Sequence, residues 1–109
     1  MGLQQLMDIK FGQKEIELGG EKYLVKELSA GDFGKYQSSL IKMVNNQPTY
    51  KTENAAKNLV LYSLHNLDGT RVFEDKDSAL IENLPKSVVV KIFEIASKLN
   101  GMGENAEKN

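Results

Sequence analysis

The spacing of apolar residues changes period several times along this chain, and each change marks the boundary of an element. From Lys14 to Leu18 polar and apolar residues alternate, Gly19-Gly20 follows, and the alternation resumes from Glu21 to Glu27 with Tyr23 and Val25 in phase. Two such runs joined by two residues suited to positive φ predict a β-hairpin. Two strands alone are marginal in water, so the face carrying Ile16, Leu18, Tyr23 and Val25 must lean on helices. Residues 1–10, ahead of the hairpin, have no clean period and read as a loose lead-in.

Helical periods take over after the hairpin. Ser29 and Asp32 stand three apart, an Asp version of a capping box, and open a helix predicted to reach about Val44, with Phe33, Tyr36, Leu40, Met43 and Val44 on one stripe. Asn45-Asn46-Gln47-Pro48 ends it, because asparagines tolerate turn conformations and proline cannot continue a helix. Thr52 is the next N-cap, for a helix from Glu53 to Asn66 that is apolar around most of its circumference. Leu61 and Leu64 fall away from the arc of Ala56, Leu59 and Ser63. A helix apolar nearly all round is central or lies at a subunit contact, which makes Leu61 and Leu64 candidate interaction residues.

Asp68-Gly69 predicts a turn, Arg71 to Phe73 a short extended piece, and the segment from about Lys76 a short helix that stops before Leu84. Pro85 suits the first turn of a last helix whose stripe is Val88, Val89, Ile92, Ile95, Ala96 and Leu99. Val90 and Phe93 lie at or beyond the edge of that stripe and complete the candidate interaction set. Gly101 suits the left-handed C-terminal position, Gly101 and Gly103 flank Met102 as a hinge, and residues 102–109 read as a flexible acidic tail. The fold class expected is α+β: one domain spanning residues 1–109, an N-terminal β-hairpin packed on a mainly helical body of about four helices.

Composition narrows the chemistry. The 109 residues carry 14 basic and 15 acidic side chains, a net charge of −1, and acids interleave with bases along every predicted helix. A general nucleic-acid binder needs a basic footprint, so nucleic acid is not an expected partner. No cysteine is present, which rules out disulfides and thiolate zinc sites. No apolar run has the length of a signal peptide core or a membrane span, so a soluble, unexported protein with no membrane partner is expected. Leu6 stands where myristoylation wants Ser or Thr, which argues against lipidation at Gly2.

Sites of chemistry fail on their residues. Asn66-x-Asp68-Gly69 has the turn of a calcium loop, but alignment on Gly69 puts Leu64 at the first ligand position and Asp75 at the bidentate glutamate position. Gly31-x-x-Gly34-Lys35 lacks the spacing and the Ser or Thr of a phosphate loop. His65 is the lone imidazole, without a thiol or a supported triad beside it. Glu74, Asp75 and Asp77 crowd a helix start, where acids complement the macrodipole. No catalytic residue, metal site or cofactor is expected.

Four segments together bring a family to mind: the hairpin ELGGEKYLVKELS (Glu17 to Ser29), the joint LDGTRVFED (Leu67 to Asp75), Leu84-Pro85, and the ending Leu99-Asn100-Gly101-Met102-Gly103-Glu104. In this order the chain resembles the tail assembly chaperones of long-tailed, siphovirus-like bacteriophages and prophages. That resemblance implies a non-catalytic protein that keeps the tape measure protein soluble while tail tube subunits polymerise around it. It also implies homo-oligomers, a place in the host bacterial cytoplasm, and absence from the mature virion. Members are typically made in two lengths by ribosomal frameshifting, the longer one contacting the major tail tube protein. Glu107-Lys108-Asn109 can be encoded GAA-AAA-AAC, which contains the slippery heptamer A-AAA-AAC, so these three residues are the candidate frameshift site. The rival reading is a structural connector or small tail subunit retained in the particle, and the protein content of purified virions separates the two.

Overall fold

A computed structural model describes residues 2–50 and 54–102. The fold is α+β, with the hairpin at its N-terminal side: β1 (Gln13–Leu18) pairs antiparallel with β2 (Glu21–Lys26), Leu18 opposite Glu21. Gly19 and Gly20 both take positive φ, +59° and +82°, as a two-residue turn matched to strand twist requires. Ile16 and Val25 are buried on the predicted face, with Leu18 and Tyr23 packed at its rim.

The lead-in contains an element that its sequence did not announce. Leu3–Met7 forms a one-turn helix, α1, closed by its own bonds: the Gly2 N–H donates to Gln5 Oε1 at 3.0 Å and Gln4 Nε2 to Asp8 Oδ1 at 2.9 Å. Helix α2 (Ala30–Ser39) starts as predicted, with Ser29 Oγ accepting from the Asp32 N–H at 3.1 Å. It ends five residues earlier than Val44. Residues 41–44 form strand β3 (Ile41–Val44), which pairs with β4 (Gln47–Tyr50). Asn45 and Asn46 are not merely a helix stop: at φ +54° and +64° they form the turn of a second hairpin, a conformation Asn accepts more readily than other side chains. Met43 and Val44 therefore leave the helical stripe and lie exposed on that hairpin.

Thr52, the predicted cap, lies outside the described residues. Helix α3 (Ala55–Ser63) also stops short of its predicted end at Asn66, because Leu64–His65 peels off as strand β5. Leu64 pairs with Val25 and His65 with Leu24, giving a three-stranded sheet in the order β1-β2-β5. The inner edge of β2 offers N–H and C=O groups that would otherwise be buried unpaired, and this outweighs one more helical turn. The chain then reverses over Asp68-Gly69, with the Asn66 N–H on Thr70 O at 2.7 Å and the Val72 N–H on Leu64 O at 3.1 Å. A 3-10 turn (Asp75–Asp77) runs into α4 (Ser78–Ile81), and Pro85 caps α5 (Lys86–Leu99).

Helices α3 and α5 pack on each other, α4 packs on α3, and α5 packs on the first hairpin, burying Leu59, Val60, Ile81, Ile92 and Ala96. The end of α5 is a complete Schellman motif: Gly101 at φ +71°, its N–H on Lys98 O, and the Met102 N–H on Ser97 O at 2.7 Å. Asn100 adds a tie to a distant segment. Its Oδ1 accepts from the Leu28 N–H at 3.0 Å while its Nδ2 donates to Ala96 O at 2.8 Å. Leu28 is buried, so Asn100→Ala strands an amide and is expected to lower unfolding free energy by roughly 1–3 kcal/mol, read from urea titration. An unchanged midpoint would show that water takes over the bond.

Candidate functional site

Three of the four segments that carry the family resemblance meet in one place. Leu18 and Tyr23 from the first hairpin, Val72 and Phe73 from the joint, and Leu84 before Pro85 line an apolar cleft of about 190 Å³, floored by Leu64, Val88 and Ile92. Among the described residues no charged side chain lines it. The chain folds this way because the β2–β5 pairing holds the joint against the hairpin's apolar face, and Pro85 turns α5 across the open end.

Arg71 fixes the joint's geometry. Its Nη2 donates to Leu61 O at 3.0 Å near the end of α3, its Nη1 meets Asp75 Oδ1 at 3.1 Å, and its guanidinium lies 5.1 Å from the Tyr62 ring centre. Burial and the nearby Asp75 carboxylate push the Tyr62 phenol above its ordinary range, with Arg71 pulling the other way. Sequence reading missed this role. The available signal was an acid four residues beyond an arginine that follows a turn. His65 is half-buried with Nδ1 2.8 Å from Ser63 O. Burial pushes its imidazole below the usual range, the Ser63 carbonyl partly opposing. Among the described residues no group of three His, Cys, Asp or Glu side chains is placed to hold a metal ion.

A second apolar cleft, about 360 Å³, opens between α2 and the β3–β4 hairpin. Phe33, Tyr36, Leu40, Ile41, Tyr50 and Met102 line it, with Gln37 as the polar member. The Phe33 and Tyr36 rings are 5.9 Å apart and tilted by 50°.

The four predicted interaction residues are not brought together. Leu61 and Leu64 are 5% and 3% exposed, inside the protomer's own core: α2, α4 and α5 pack around α3, and Leu64 has left the helix to pair with Val25 in the sheet. Val90 is 38% exposed on α5, and Phe93 packs at the edge of the core beside Met102. Gly101 is held in the Schellman motif, while Gly103, Glu107, Lys108 and Asn109 lie outside the described residues.

No protein-family model matches the sequence, and no curated protein does. Among solved structures, the tail assembly chaperone of bacteriophage HK97 is similar at a TM-score of 0.61 and 21% identity, over 89% of this chain and 95% of that one. What the two chains share, across nearly the whole length of each, is the fold.

Proposed function

We propose that this chain is a non-catalytic phage tail assembly chaperone that binds and solubilises a tape measure protein in the host cytoplasm and is left behind when the tail is complete. The observation that carries this reading is the shared fold with the HK97 tail assembly chaperone over 89% and 95% of the two chains. The joint cleft suits the task. Its lining is apolar, and its volume of about 190 Å³ accepts a few side chains from an amphipathic helix. A contact this small is exchangeable, as a chaperone displaced by arriving tube subunits requires. Val90, on the side of α5 away from the cleft, is a separate exposed apolar position. Co-expression with the tape measure protein tests the reading: it stays soluble and co-purifies if the proposal holds.

The same reading proposes a longer product that reaches the major tail tube protein. A swivel for its added domain would begin beyond Met102, since the Gly101 N–H is bonded to Lys98 O and the Met102 N–H to Ser97 O. The expected result is an uninterrupted A-AAA-AAC run in the codons of Glu107-Lys108-Asn109, and junction-crossing peptides that disappear when Lys108 is silently recoded to AAG. Codons that break the run would remove this slip site.

A further inference from the structure

One wall of the joint cleft is attached through a strand of two residues. The Asn66 N–H on Thr70 O at 2.7 Å and the Val72 N–H on Leu64 O at 3.1 Å hold the joint to the outer edge of β5, and they make His65 and Arg71 a directly opposed pair. Neither residue of that pair bonds the other's backbone, the arrangement in which opposed side chains come closest. Successive residues of a strand point to opposite faces, so the pairing sorts the side chains. Leu64 and Val72 line the cleft together with Tyr23, while His65 lies on the other face with Leu24, which it opposes in β2, and Lys26, two positions on.

That other face is poor ground for another positive charge. The His65 ring is half-buried with Nδ1 2.8 Å from Ser63 O, and Arg71 stands opposite it, fixed by Leu61 O, Asp75 and the Tyr62 ring. Burial above all, and then the Lys26 and Arg71 cations, disfavour the imidazolium; the Ser63 carbonyl and the Asp32 carboxylate of α2 oppose them without winning. Like charges directly opposed across a strand pair destabilise the pairing. Closure here is already costly. Arg71 Nε and Ser63 Oγ are buried with no hydrogen-bond partner among the described residues, and both regain water if the joint lifts.

We propose that protonation of His65 releases the joint from β5, so that Val72 and Phe73 move off and the joint cleft opens. With the joint lifted the imidazole is hydrated and titrates near its ordinary value of 6.5. The closed state therefore has its full advantage above that pH, and loses it as pH falls through the lowered value of the closed state. Asp68, in the turn of the joint, does not share this window. Its Oδ1 accepts from Thr70 Oγ1 at 2.6 Å and from the Thr70 N–H at 2.9 Å, bonds that hold the carboxyl below its ordinary range. The device stands whatever occupies the cleft, and its test uses this chain alone.

The test is amide hydrogen exchange on the full chain by NMR, from about pH 7.5 to about pH 5.5, with the intrinsic pH dependence of exchange divided out. The Asn66 and Val72 amides lose protection as pH falls, by at most about tenfold per pH unit, the limit for one proton. The Ile92 amide of α5 stays protected throughout. His65→Gln, which keeps a neutral polar side chain beside Ser63 O, removes the dependence. Lys26→Gln leaves every joint residue in place and takes away one of the opposing cations; it raises the His65 midpoint, read from the ring proton shifts, and shrinks the dependence. Protection at Asn66 and Val72 that does not change with pH would overturn the proposal. So would a dependence that survives in His65→Gln, or a loss shared equally by Ile92, which would mean that the whole domain loosens.

Discussion

Ile92→Glu abolishes cooperative folding, while Val90→Glu, two positions away on α5, leaves the melting curve nearly where it was. Ile92 has no exposed surface and sits where α5 meets α3 and the sheet. A glutamate there is either an unpaired buried charge or a protonated acid with no partner, and it also removes apolar packing. The combined cost, roughly 3–5 kcal/mol or more, is comparable with the whole stability of a domain this size, about 5–15 kcal/mol. Val90 is 38% exposed, so its glutamate reaches water and the change stays within about 0.5 kcal/mol. Circular dichroism during heating reads both. A cooperative transition for Ile92→Glu near the parent's temperature would mean that α5 is docked differently.

Leu64→Ala lowers the unfolding free energy by roughly 2–5 kcal/mol and leaves self-association unaltered. Leu64 is the residue for which helical periodicity and the three-dimensional fold give opposite expectations. As part of a continuing helix it would point away from the core arc and into a subunit contact. As the first residue of β5 it is buried against Val25 and floors the joint cleft. Urea unfolding and sedimentation on the same sample separate the two: lost association at unchanged stability would restore the subunit contact.

The elements legible in the sequence were those set by local chemistry. Gly19-Gly20 dictates a tight hairpin, Ser29 supplies a cap oxygen, Pro85 starts a helix, and Gly101 ends one; each appears at its expected place. The misread elements depend on partners distant in sequence or on a choice between two uses of one residue. Asn45-Asn46 ends a helix or turns a hairpin equally well, and the strand pairing of Ile41 with Tyr50 decides for the hairpin. Leu64 leaves its helix only because β2 has an open edge. Asn100 reads as a helix terminus, yet its bond to Leu28, 72 positions away, has no sequence signature. The joint cleft was half legible: the segments that form it stood out one by one, while their convergence on a single apolar lining required the sheet.

The central claim is a binding partner, and one measurement addresses it most directly: soluble yield and co-purification of the tape measure protein of the same phage or prophage, expressed with and without this chain. The proposal predicts that the tape measure protein moves from the insoluble to the soluble fraction and elutes bound to this chain. A tape measure protein that remains insoluble and unbound in the presence of abundant folded chain would contradict it.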